Sequence, residues 1–148
     1  MVFGSKIVAK RREEERDRVF PSAPSLVWSR QGAKGFTTLP RTLPLVALIQ
    51  NELSKGAPVS STYADLVFKV FDEQYLVIES PAERALLAGF NGPRAVTTWS
   101  GRMRALVKMG FIQTVAGTKG EFHHTLIVNP WSAPSTTPST SCWPASNA

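Results

Sequence analysis

Between Glu83 and Glu121 the chain carries Arg84, Arg94, Arg102, Arg104, Lys108 and Lys119 and no Asp or Glu. A stretch of one sign inside a folded segment suits the neutralisation of phosphates; a solvated face that happens to lack carboxylates is the plain alternative. Other residues with chemical capacity are few. His123 and His124 are adjacent, and in a strand neighbours point to opposite faces, so they do not jointly ligate one metal easily. Cys142 sits in a tail with no base or metal partner nearby and reads as a free, inert thiol. Glu79 and Glu83 are four apart, but Glu83 is claimed by a helix cap. Gly117-Thr118-Lys119-Gly120 lacks the spacing of a phosphate-cradling loop. Asp72-Glu73 reads as a helix end. No serine elbow, zinc-protease motif or redox pair is present, so an enzyme is not expected, and neither a cofactor nor a metal is implied.

The composition bounds what must position these residues. The chain has 148 residues, 17 Lys+Arg against 11 Asp+Glu, and a formal net charge of +6. That length suits one domain with tails, and the charge points first to an anionic partner. One cysteine excludes an intramolecular disulfide framework. The longest apolar run, Leu43 to Ile49, is seven residues and contains a proline, far short of the roughly 20 that a membrane helix needs. The N-terminus turns charged within ten residues and does not read as a secretory signal. The charge is uneven: residues 1–35 hold eight basic and four acidic groups, 36–76 three and four, 77–130 six and three, and 131–148 none.

Residues 1–35 read as a flexible basic arm, in which KRREEERDR makes one or two exposed helical turns (Arg11–Glu15 attracting, Arg12–Arg16 repelling) before PSAPS breaks the helix. Its four acids weaken a role in tracking phosphates, and a plain tail or a self-association helix remains open. Residues 131–148 contain eleven Ser, Thr or Pro and no charge, the composition of a disordered tail. The folded part is then 36–130. Within it Thr42-Leu43-Pro44 opens a helix that closes at Lys55-Gly56. Ser60-Ser61-Thr62 opens a second, buried through Leu66, Val67, Val70 and Phe71. Ser80 caps a short third helix, with Pro81 at its first position and Glu83 completing a capping box; it ends at Gly89. Gly92-Pro93 opens a longer fourth, running to about Met109 and stopped by Gly110. Phe111 to Val115 and Phe122 to Val128 then read as strands of a hairpin with Lys119 at its tip.

Short helix, tight glycine turn, longer basic helix, the run Leu106-Val107-Lys108-Met109-Gly110-Phe111-Ile112 and a Gly/Lys-tipped hairpin: this order resembles the winged helix-turn-helix superfamily of DNA-binding domains. The resemblance covers about 42–129 and is sharpest over 80–128. It implies an α+β, mostly helical winged helix-turn-helix domain with a C-terminal β-hairpin wing, flanked by disordered tails. The motif is structural and supports the fold better than any target.

On the helical wheel of 93–109, Ala95, Val96, Trp99, Met103, Leu106 and Val107 fall on one side. Opposite lie Arg94, Thr97, Thr98, Gly101, Arg104, Ala105 and Lys108, with Arg102 on the flank. Trp99 and Phe111 are assigned to the core. Arg94, Thr97 and Thr98, at the end that usually enters the major groove, are the expected base contacts; Arg102, Arg104 and Lys108 are the expected phosphate contacts, and Lys119 reaches the adjacent backbone. Gly101 costs roughly 1 kcal/mol relative to Ala, which either close approach of a partner or a helix kink explains. The expectation is therefore sequence-specific binding of double-stranded DNA. The chain would serve as a bacterial, plasmid or phage transcriptional regulator or a replication or partition accessory factor. It would be cytoplasmic and nucleoid-associated, open to homodimerisation through its first two core helices, and without a membrane or small-molecule ligand. The rival is a winged-helix module docking an acidic protein.

Overall fold

The structure is a computed structural model that describes residues 3–26, 29, 32, 34 and 37–131. The Ser/Thr/Pro-rich tail and Cys142 lie outside the described residues. The chain divides into two units, Met1–Phe36 and Thr37–Ala148.

The first unit holds helix α1, Phe3–Val19, and a single turn, α2, Ala23–Leu26. The 17 residues of α1 are more than the one or two turns expected. Its Lys, Arg, Glu and Ala are strong helix formers, and after Gly4 in the first turn no Gly or Pro follows until Pro21. Its side chains from Lys6 onward are exposed apart from a half-buried Arg16. Local pairs supplement backbone propensity: Arg16 on Asp17 at 2.7 Å and Lys10 on Glu14 at 4.0 Å.

The second unit runs α3 (Leu43–Leu53), α4 (Ser60–Lys69), β1 (Tyr75–Val77), α5 (Pro81–Leu87), α6 (Ala95–Lys108), β2 (Ile112–Gly117) and β3 (Gly120–Ile127). It is an α+β arrangement with a three-stranded antiparallel sheet of order β1-β3-β2. α3 takes proline in its first turn and stops where Lys55 and Gly56 adopt positive φ, 47° and 87°. α4 is not capped by its own serines. The Asn51 side chain on α3 does this, accepting from the Val59 and Ser60 amides at 3.2 Å each and donating to Ser60 Oγ at 3.0 Å. At α5 the Ser80 hydroxyl accepts from the Glu83 amide at 3.2 Å. The other half of the capping box does not form, because the Glu83 carboxylate takes Arg84 Nη2 at 2.7 Å. α6 begins at Ala95, two residues later than Pro93, with Arg94 as its N-cap residue.

Strand β1 has no counterpart in the sequence reading. Three residues are too few to show a period, and the strand exists because β3 offers Leu126, Thr125 and His124 opposite Tyr75, Leu76 and Val77. Asp72 and Glu73 lie in the turn that leads into it.

The core is built by Val59, Tyr63 and Leu66 of the α4 segment, Trp99, Met103 and Leu106 of α6, and Ile78, Phe111, Ile112, Phe122 and Ile127 from the sheet and its flanks. Trp99 meets Phe122 edge-to-face (5.5 Å, 87°) and Tyr63 meets Phe111 likewise (6.0 Å, 67°). Such pairs add about 0.5–1.5 kcal/mol to their burial. Beside this core Arg84 Nη1 donates to both carboxylate oxygens of Asp65, at 3.1 and 3.2 Å. The side chains are 8% and 7% exposed, so the pair locks α5 to α4 from inside. Burial raises the Asp65 pKa, and the Arg84 charge beside it opposes that rise. Arg84 thus leaves the one-sign stretch: its charge is spent internally.

Candidate nucleic-acid interface

α6 is held by its buried line of Trp99, Met103 and Leu106. Val96 and Val107, expected beside them, are 40% and 38% exposed. At about 100° per residue they stand about 60° and 80° round from Trp99, at the margin of what the sheet covers. On the far side Arg104, Thr97, Lys108, Gly101 and Arg94 fall within about 80° of each other, and all five are exposed. The positions follow i, i+3, i+7, i+10, i+14 from Arg94, so they form one line along the helix. Thr98 and Arg102, expected on the same surface, are half-buried. Arg102 Nε is fully covered and has no hydrogen bond among the described residues.

Gly101 sits on this line with an ordinary helical φ, and a Cβ built there meets nothing within 4 Å. Neither backbone conformation nor internal packing asks for glycine at this position. The helix is smooth and open where a groove would come nearest.

The hairpin runs beside α6. Thr118 and Lys119 form its two-residue tip, with Gly117 paired to Gly120 and Lys119 exposed. Between hairpin and helix lies a cleft of about 240 Å³, walled by Ile78, Pro81, Val96, Trp99 and Phe122 and rimmed by Lys119 and Glu121. In the sequence Glu121 marks only the end of the acid-free stretch. It receives Arg104 bidentately, from Nη2 at 2.9 Å and Nε at 3.3 Å. The two side chains are 60% and 53% exposed. The carboxylate's hydrogen bond and charge raise the Arg104 pKa still further above its ordinary value. Sequence reasoning missed this pair because 17 residues and a hairpin separate its members.

The two histidines do not stand on opposite faces. Their rings lie 4.4 Å apart, tilted by 34°. The pairing of β2 with β3 is irregular between Val115 and Gly117: β2 advances from Val115 to Gly117 while β3 goes from His124 to Gly120. The surplus residues of β3 form a bulge that breaks the two-residue alternation. His124 Nδ1 bonds the Tyr75 hydroxyl at 2.8 Å, and His123 Nε2 approaches Glu79 at 3.7 Å. The His123 ring fills the space over Gly117, where a Cβ would collide with Nδ1. No group of three metal-ligating side chains gathers among the described residues, and no helix there is long and apolar enough to cross a membrane.

The residues that converge are therefore Arg94, Thr97, Gly101, Arg104 and Lys108 on one helix line, with Lys119 on the flanking hairpin. Chemically they offer three guanidinium or ammonium groups free of carboxylate partners among the described residues, one guanidinium already held, a hydroxyl and a gap. Comparison with protein-family models, curated proteins and solved structures yields no match to this chain.

Proposed function

We propose that this chain binds double-stranded DNA in a sequence-specific manner, as a winged helix-turn-helix with α6 in the major groove and the β2–β3 hairpin on the flanking backbone. The observation that carries this reading is the exposed line of Arg94, Thr97, Gly101, Arg104 and Lys108, opposite the buried Trp99–Met103–Leu106 line. The order α5, short turn, α6, hairpin agrees with it. An exposed α-helix with cations, a hydroxyl and a glycine matches a groove about 12 Å wide lined by phosphates. Transcriptional regulation, or an accessory role in replication or partition, is the corresponding biological assignment. α3 leaves Leu45, Leu48 and Leu53 about half exposed or more and carries one charged residue, Glu52. That face suits a homodimer reading two half-sites.

Selection of bound sequences from a random duplex library tests the reading directly. With Lys108 and Lys119 on phosphates and Arg94 on a base, two phosphate contacts give a salt slope of about −1.8, hence roughly a 12-fold loss of affinity for a fourfold rise in salt. Arg94→Ala with Arg104→Ala abolishes specific binding. Retention of full affinity in that double variant refutes the interface. Failure of the native chain to bind any duplex at low salt shifts the assignment to docking of an acidic protein.

A further inference from the structure

We infer that Glu121 is a positioning residue for Arg104, and that the pair reads a guanine in the major groove instead of gripping a phosphate. This rests on the DNA-binding reading above and assigns a specificity-determining role that charge counting alone gives to neither residue.

The guanidinium of Arg104 is constrained on two sides. Glu121 occupies its Nε–Nη2 edge through three contacts of 2.9–3.3 Å. The Phe122 ring lies beneath, with the guanidinium carbon 5.9 Å from its centroid, inside the range of a cation–π contact. Phe122 is itself buried and pinned edge-to-face on Trp99. A chain of contacts thus runs from the core to the tip of an otherwise flexible side chain.

What remains free is the outer edge of the fork. Arginine has five N–H donors in a plane; Glu121 takes the one on Nε and one on Nη2. The two on Nη1 and the second on Nη2 remain, in the parallel geometry that matches O6 and N7 of guanine. Gly101 lies one turn before Arg104 on the same exposed line, and nothing stands within 4 Å of a Cβ built there, so the helix surface next to the Arg104 backbone is open.

The choice between base and phosphate follows from charge. A phosphate contact gains by neutralisation and counterion release, and Arg104 brings a carboxylate with it, so the pair carries no net charge. A guanine edge is neutral, and recognising it needs orientation, which the carboxylate supplies by holding the fork before DNA arrives. An unneeded carboxylate on a surface facing a polyanion would only repel.

The test uses the full chain and the duplex that it selects, beside a duplex with one G·C pair changed to A·T. Glu121→Gln, Arg104→Lys and Arg104→Ala are compared with the native chain for affinity, base preference and salt slope. Both positions are more than half solvent-exposed, and thermal melting confirms that each variant folds. Arg104→Ala is expected to lower the preference for guanine at one position by about 5- to 150-fold. Arg104→Lys keeps the charge and loses the preference. Glu121→Gln weakens the preference at the same position with an unchanged salt slope, and its effect vanishes in the Arg104→Ala background. The proposal is overturned if Glu121→Gln tightens binding to both duplexes alike and steepens the salt slope, which marks Glu121 as a mere repelling acid. It is equally overturned if Arg104→Ala reduces the slope by about one and leaves base preference intact. If the native chain selects no duplex, DNA binding itself fails, and that is visible before any variant is made.

Discussion

Gly101→Ala makes the two properties of α6, its stability and its openness, move in opposite directions. The position is a helix interior, exposed, with ordinary φ and no atom within 4 Å of a built Cβ. A methyl group there loses nothing in packing and relieves the backbone entropy of glycine, worth about 0.8–1.0 kcal/mol. For a folded part of this size that is a rise in Tm of about 4–8 °C, read by circular dichroism melting. In the proposed complex with DNA the same methyl would face the groove. A methyl forced into a packed contact costs about 1–3 kcal/mol, so DNA affinity falls by about 5- to 150-fold in a titration at fixed salt. A more stable protein that binds as well as before refutes close approach at Gly101. A Tm that stays level or falls shows that the residue is held in a kinked geometry, and the smooth-surface reasoning fails with it.

Other perturbations address what holds the interface in place. Asp65→Ala leaves the buried Arg84 guanidinium with Glu83 as its remaining carboxylate partner among the described residues and is expected to cost about 3 kcal/mol in urea unfolding, whereas joint replacement Asp65→Leu/Arg84→Met costs far less. Equal loss in both would show that the pair is net stabilising. Burial pushes the Tyr63 hydroxyl up from 10.0 to about 12, so the folded chain keeps a proton that the unfolded chain releases; stability falls as pH rises from 10 to 12. The effect is on the order of 3 kcal/mol at most, and Tyr63→Phe removes it from the alkaline limb of the stability profile. Gly117→Ala drives a Cβ into the His123 ring and costs about 1–3 kcal/mol. His123→Ala in the same chain restores part of that loss, and simple additivity of the two would show that the ring moves aside freely.

Local chemistry decided the parts of this protein that lie within a few residues of their cause. Ser80 and Pro81 start α5, Gly92 and Gly110 bracket α6, and the spacing of Trp99, Met103 and Leu106 turns one face of α6 inward. Each is a contact or dihedral preference spanning four residues or fewer, so the linear pattern displays it. Trp99 and Phe111 were legible as core for the same reason.

Where the cause lies far along the chain, the pattern was silent. β1 is a strand only because Leu126 stands opposite Tyr75. Arg84 reads as a surface cation until Asp65, 19 residues earlier, is seen to bury it. The histidines share one side because of a bulge whose register two strands set jointly. Glu121 looked like the end of a basic stretch and is the group that holds its central arginine. Residue types and their order establish that cations gather near α6, since charge is a property of each residue alone. Which cation is spent inside, which is held and which is free depends on distance in space, because Coulomb attraction and hydrogen bonding act through space and are blind to separation in sequence.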